Sequence, residues 1–186
     1  IDSIFGGDGN DNIYTGAGIG DMALGERGTD TLYGNFDSDF LIGGIVSSTL
    51  IEDVDLDWIS LTSTTAGVIL DLSTTVTAGT GVYNGLYSKA MLVDATPLDN
   101  TDNTQFDYVR QIEHIIGSTG DDTFTGNASQ NSILGGDGDD IIYYTRGFDN
   151  YNGGNHTTIA GTQGSTAAAV GGGDWISLAK ETTTTV

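Results

Sequence analysis

The sequence predicts an all-β fold, a parallel β-roll (a flattened β-solenoid) of Gly/Asp nonapeptide repeats interrupted by a β-rich insert. Three observations predict it. GGDGNDNIY at residues 6–14 recurs almost letter for letter as GGDGDDIIY at residues 135–143. Both copies fit the pattern GGxGxDxUx, with U a large apolar residue, and this pattern tiles two stretches of the chain. No stretch has the 3.6-residue apolar spacing of an amphipathic helix, whereas short apolar runs between Gly, Asn and Asp turns are frequent.

Numbering the nonapeptide from 1 to 9 sets the elements in order. Ile1 falls at position 5, so the chain is expected to start inside a repeat, as a fragment or processed piece would. The unit at residues 6–14 has Asp11 at position 6 and Ile13 at U. Residues 15–24 form a ten-residue variant with Asp21 in the aspartate slot. Residues 25–33 restore the pattern through Gly25, Gly28, Asp30 and Leu32, and residues 34–42 keep Asp39 and Leu41 but carry Asp37 in place of the fourth-position glycine. Gly43 and Gly44 open a further unit that is then interrupted.

The second block comprises four units, at residues 117–125, 126–134, 135–143 and 144–152. Their U positions are Phe124, Ile133, Ile142 and Tyr151, and Asp122, Asn131, Asp140 and Asp149 occupy position 6. Asn131, being neutral, makes a weaker site, and Tyr144 replaces a first-position glycine. Between the blocks, residues 67–72, 82–87, 90–93 and 106–116 read as longer strands, with Pro97 in a polar surface loop. Four segments follow: a roll block over 1–44, a β-rich insert over 45–116, a second roll block over 117–155, and a spacer with the start of a further module over 156–186. The last assignment comes from DWISL, present at residues 57–61 and again 117 residues later at 174–178. Each copy follows a Gly-Gly pair through a spacer, as in a long protein built from large modules.

The 186 residues carry 26 acidic and 5 basic side chains, a formal net charge of -21. Nucleic acid is excluded as a partner, since its phosphates require a basic face. Of the acidic residues 22 are Asp and 4 are Glu. Short carboxylates in turns are what a hard cation needs, and bound cations would remove the mutual repulsion of so many charges. Folding and metal binding are therefore expected to be coupled. There is no Cys, and no apolar run approaches the ~20 residues of a membrane-spanning helix.

Within each repeat, glycines at positions 1, 2 and 4 leave carbonyl oxygens uncovered and position 6 adds a carboxylate. Two units make one turn of the coil, so loops two units apart stack on the same edge. Carbonyls and carboxylates from both loops can then supply the six or more oxygens that Ca²⁺ accepts, whereas Mg²⁺ demands tighter geometry. Several ions are expected, between the loops at 6–11 and 25–30 and between those at 117–122 and 135–140. The loops at 126–131 and 144–149 form the opposite edge. The candidate metal ligands are Gly6, Asp8, Asp11, Asp21, Gly25, Gly28, Asp30, Asp39, Gly117, Asp122, Asn131, Gly135, Asp137, Asp140 and Asp149.

These repeats resemble those of RTX proteins, the hemolysin-type calcium-binding family, and DYVRQIEHIIGSTGDDTFTGN at 107–127 resembles the run that leads into RTX repeats. The resemblance implies a parallel β-roll, type I secretion through an uncleaved C-terminal signal, and folding when extracellular calcium is met. Sites of the extracellular kind, with Kd of ~10⁻⁴ to 10⁻³ M, stay empty in the cytosol. A tenfold excess of calcium over Kd would stabilise the fold by roughly 1.4 kcal/mol per independent site.

Catalytic chemistry is not expected. His114 and His156 stand in no zinc-ligand spacing, and there is no GxSxG elbow, Walker loop or nucleophilic Cys. Asp53, Asp55 and Asp57 alternate along a strand and read as a solvated edge more readily than as a further cation site. Trp58, Tyr14 and Tyr33 read as packing residues before they read as sugar contacts. The expected function is that of a non-enzymatic, calcium-folded segment of a long secreted or cell-surface structural protein, of S-layer, filament or adhesin type. Self-association or a cell-surface polysaccharide would be its partners besides calcium. The alternative is the secretion and folding module of an exported enzyme or toxin whose active domain lies elsewhere.

Overall fold

A computed structural model describes residues 1–44, 55–79, 85–93, 105–143, 145, 149–155 and 175–177, the last three as backbone. Asp53, residues 82–84, Pro97, Tyr144, His156 and most of the spacer expected over 156–186 lie outside the described residues. All regular elements among the described residues are strands. They are β1 (Ser3–Asp8), β2 (Asn12–Tyr14), β3 (Met22–Arg27), β4 (Thr31–Tyr33), β5 (Asp37–Ile42), β6 (Trp58–Ser60), β7 (Val68–Asp71) and β8 (Val76–Ala78). There follow β9 (Gly85–Leu92), β10 (Phe106–Arg110), β11 (His114–Ile116), β12 (Thr123–Thr125), β13 (Ser132–Asp137), β14 (Ile141–Tyr143), β15 (Asn150–Asn155) and β16 (Trp175–Ser177).

Successive repeat units alternate between two sheets, as two units per turn require. One sheet runs β15-β13-β11-β6-β4-β2, with every pairing parallel. The other runs β1-β3-β5-β10-β9-β7-β12-β14-β16, with β8 attached to β9. Its pairings are parallel except around β9, which is antiparallel to β10, β7 and β8. Strand pairing continues through the first three positions of a unit in β1, β3, β13 and β15, so these strands reach six residues rather than the three expected.

The register stacks the U residues on one another. In the six-stranded sheet Ile13, Leu32, Ile59, Ile115, Ile133 and Tyr151 form one continuous file. In the other sheet Ile4, Ala23, Leu41 and Val109 form one file, and Leu70, Phe124 and Ile142 another. Facing files make the main core, from Ile13 to Ile142, with Ile4 and Tyr151 packed against it. A second cluster of Leu24, Ile42 and Tyr87, joined by Met22, Phe40, Ala78 and Tyr108, lies on the opposite face of the wider sheet. There Phe40 stacks on Tyr108 with centroids 4.7 Å apart, and Lys89 sits 3.9 Å over the Phe106 ring.

The segment expected as an insert contributes strands to both roll sheets. β6 and β11 are neighbours, so the first block abuts the second without a gap in the six-stranded sheet. In the wider sheet β10, β9 and β7 stand between β5 and β12. The reversal after β7 is local: Asp71 accepts the Ser73 amide through Oδ1 at 2.9 Å, an Asx turn that directs the chain into β8.

Phe124 is fully buried and Val76 is 42% exposed. Phe124→Ala should lower the unfolding free energy in saturating calcium by ~3 to 5 kcal/mol, while Val76→Ala should stay within ~0.5 kcal/mol. Urea denaturation followed by circular dichroism checks this, and equal losses would contradict the assigned core.

Candidate metal centres

The position-6 side chains form a hydrogen-bonded ladder along each edge of the roll. On one edge the Asp11 amide donates to Asp30 Oδ1 at 2.8 Å, the Asp30 amide to Asp57 Oδ1 at 2.8 Å, and the Asp57 amide to Glu113 Oε2 at 3.1 Å. The same edge ends with the Asn131 amide on Asp149 Oδ1 at 2.9 Å. On the other edge the Asp2 amide donates to Asp21, the Asp21 amide to Asp39 at 2.8 Å, the Asp39 amide to Asp107 at 3.1 Å, and the Asp122 amide to Asp140 at 2.9 Å. One carboxylate oxygen of each rung thus caps the next coil, because the nonapeptide puts position 6 just before each strand. Asp30, Asp39, Asp57, Asp107 and Asp140 are completely buried by it.

The second oxygen distinguishes the rungs. Buried Oδ2 of Asp11 and of Asp39 accepts no hydrogen bond from the protein. Asp107 Oδ2 instead accepts the amides of Asn35 at 3.0 Å and Phe36 at 2.8 Å. Asp122 Oδ2 accepts the Ser118 amide at 2.7 Å, and its Oδ1 accepts the Val68 amide and the Ser118 hydroxyl, each at 2.7 Å. Asn131 serves itself through the Asn127 amide and through Nδ2 on the Glu113 carbonyl. A buried carboxylate oxygen without a donor is costly, and a cation is the partner that removes the cost.

Backbone oxygens converge on the same places. A Cβ added at Gly25 would collide with Asp30 Oδ2 and the Gly43 carbonyl, and one at Gly135 with Asp140 Oδ2 and the Gly153 carbonyl. At Gly6 it would stand 2.9 Å from Asp11 Oδ2 and 2.6 Å from the Gly25 carbonyl; at Gly117 it would meet Asp122 Oδ2 and the Gly135 carbonyl. The first glycine therefore keeps open a cradle between a carboxylate and the carbonyl of the next coil. Gly28 and Gly138, at position 4, take φ of 120° and 123°, which a side chain would strain. Among the described residues no group of three or more His, Cys, Asp or Glu side chains assembles, so a coordination shell here would draw on carbonyls and water besides the carboxylates. An all-oxygen set of carboxylates and carbonyls fits calcium.

The sequence-derived ligands divide accordingly. Gly6, Asp11, Gly25, Asp30, Gly135 and Asp140 line cradles, and Gly28 shapes its loop. Gly117 and Asp122 line one whose carboxylate already holds protein donors. Asp21 Oδ1 accepts the Asp2 amide. Asp39 has the donor-free oxygen, while Asn131 and Asp149 belong to the self-satisfied edge, Asp149 Oδ2 accepting the Tyr151 hydroxyl at 2.7 Å. Asp8 and Asp137, at position 3, point to solvent: Asp8 meets Arg27 at 3.5 Å and Asp137 accepts from Asn155 at 3.2 Å. Their side chains stand off the ladder, leaving only their backbone carbonyls to face an ion.

Three ladder members were not among the sequence-derived ligands, and Asp57, read with Asp53 and Asp55 as a solvated edge, is instead fully buried. Asp57, in DWISL, is the position-6 residue of the interrupted unit opened by Gly43, and Asp107 and Glu113 continue the two ladders from outside the repeat pattern. The available signal was the DWIS tetrad, which reproduces positions 6 to 9. His114 is structural: its Nδ1 accepts the Ser132 amide at 2.9 Å and its ring lies 4.5 Å from that of Trp58. Tyr14 stacks on Tyr33 at 4.0 Å.

Burial pushes the Asp107 and Asp122 carboxyls up to about 6 and raises that of Asp39, while it lowers His114. A carboxylate raised in the folded state favours the fold below the unfolded value of ~4 and loses that contribution as pH rises through the folded value. His114 acts in the opposite sense, one imidazole against three carboxyls.

A family model of the RTX calcium-binding nonapeptide repeat, with 4 copies, matches residues 1–20, 20–50 and 116–151. No curated protein matches the chain.

Asp140→Ala should raise the calcium midpoint of folding, read by far-UV circular dichroism, by at least about threefold, while Asp8→Ala should leave it nearly unchanged. Equal shifts would contradict the division between ladder and solvent carboxylates.

Proposed function

From the premise that its two repeat blocks are RTX calcium-binding nonapeptide repeats, we propose that this chain is a calcium-folded structural segment of a long exported extracellular or cell-surface protein. The observation that carries the structural role is the placement of the second DWISL. Its Trp175–Ser177 strand pairs in parallel with β14, in the register Ile141↔Trp175, Ile142↔Ile176 and Tyr143↔Ser177. The second DWISL thus adds one more parallel strand to the roll, which supports reading it as the start of a further module. A chain of such modules is a stiff rod whose length is set by module number.

Calcium acts here as a folding ligand. Outside the cell it occupies the cradles, discharges part of the -21 net charge and binds successive coils together. Inside, at cytosolic calcium, the carboxylates repel and the chain stays unfolded and exportable. Gly6, Asp11, Gly25, Asp30, Gly135 and Asp140 would hold the ions, and the role is non-catalytic.

Electron microscopy of the native protein tests the structural role. Rods or sheets with calcium that disperse on chelation are expected, and the same monomers in both conditions would overturn it.

A further inference from the structure

The broken repeat contains a site that the family match covers only at its first glycine, since the match runs over residues 20–50 and resumes at 116, leaving out Asp57 and Gln111. Gly43 opens that repeat and Asp57 closes it, 14 residues later instead of five. Despite the interruption, the cradle is rebuilt. A Cβ added at Gly43 would collide with Asp57 Oδ2, as one at Gly25 would with Asp30 Oδ2. The second wall differs. Where the intact repeats present the carbonyl of the next first-position glycine, this one presents the carbonyl of Gln111, 54 residues beyond Asp57.

Gln111 bears two further marks. Its backbone takes φ of 52°, a left-handed conformation that a Gln adopts only when its surroundings enforce it. Its buried Oε1 accepts no hydrogen bond from the protein. The surroundings are well held: the Gly43 amide donates to the Arg110 carbonyl at 3.0 Å and the His114 amide to the Asp57 carbonyl at 2.9 Å. Asp57 is fully buried and its Oδ1 caps the preceding coil.

We propose that Asp57 and the Gln111 carbonyl hold a calcium ion at the seam between the two blocks, a site that rests on the calcium reading given above. Carboxylate and carbonyl oxygens of this kind, completed by water, suit the flexible oxygen shell of calcium. The ion joins β6, the last strand of the first block in its sheet, to the β10–β11 connection that starts the second. It thus closes the one junction in the six-stranded sheet where chain continuity does not link adjacent coils.

Terbium(III), which takes calcium sites and scatters anomalously, is the probe. In crystals of the unmodified chain soaked in terbium, an anomalous peak is expected between Asp57 Oδ2 and the Gln111 carbonyl, besides those in the intact repeats. Peaks in the intact repeats alone would overturn the seam site and leave the calcium reading standing, while no peak anywhere would overturn both. In solution, native mass spectrometry should find one fewer calcium on Asp57→Asn than on the unmodified chain; this substitution keeps the oxygen that caps Asp30. An unchanged count on a folded variant would also overturn the proposal.

Discussion

The position-6 carboxylate must do two things at once, and the rest of the roll depends on that. One oxygen caps the amide of the neighbouring coil at 2.8 to 3.1 Å, which fixes the stacking of coils. The other is carried into the same buried edge and needs a partner of its own. Among the described residues the basic side chains are engaged elsewhere: Arg27 meets the exposed Asp8, and Lys89 and Arg110 lie over aromatic rings on the wider sheet. Either backbone donors turn toward that oxygen or a cation does. The fold is therefore a ledger of carboxylates, each settled locally.

The two solutions are distributed unevenly. In the first block the loops at Gly6, Gly25 and Gly43 form open cradles on one edge, while on the other Asp107 is satisfied by Asn35 and Phe36. In the second block the cradles at Gly117 and Gly135 lie on the opposite edge, and Asn131 is satisfied by amide groups on the remaining one. Each block is thus dependent on cations along one edge and stapled by its own donors along the other. Asp39, buried and with a donor-free Oδ2, is the exception. Removing calcium would release one edge of each block while leaving the other edge's hydrogen bonds in place, and the apolar files between them are too short per coil to hold alone.

Much of this was legible in the sequence because the nonapeptide sets burial and turn chemistry together. The U positions Ile13, Leu32, Leu41, Phe124, Ile133 and Ile142 are all core residues, and the pairing of loops two units apart follows from two units per coil. What was not legible has a common cause, namely that rungs can be supplied by residues without the repeat around them. Asp57 is separated from its Gly43 by an insertion, Asp107 sits inside an alternating strand pattern, and Glu113, level with Asp57 and Asn131 just before β11, lacks the glycines that mark the slot elsewhere. The antiparallel β9 was hidden for a different reason: a strand of its composition reads the same in either direction. Asp8 and Asp137 were expected as ligands by residue type, and their side chains are exposed at position 3.

Amide hydrogen exchange at the rungs themselves measures the central claim most directly. The amides of Asp11, Asp21, Asp30 and Asp122 each donate to a carboxylate of the next coil. With saturating calcium all four should be strongly protected, and as chelator withdraws calcium the Asp11, Asp30 and Asp122 amides, on the cradle edges of the two blocks, should be the first to lose that protection. Equal protection of all four amides in both conditions would contradict the dependence of the ladder on a bound cation.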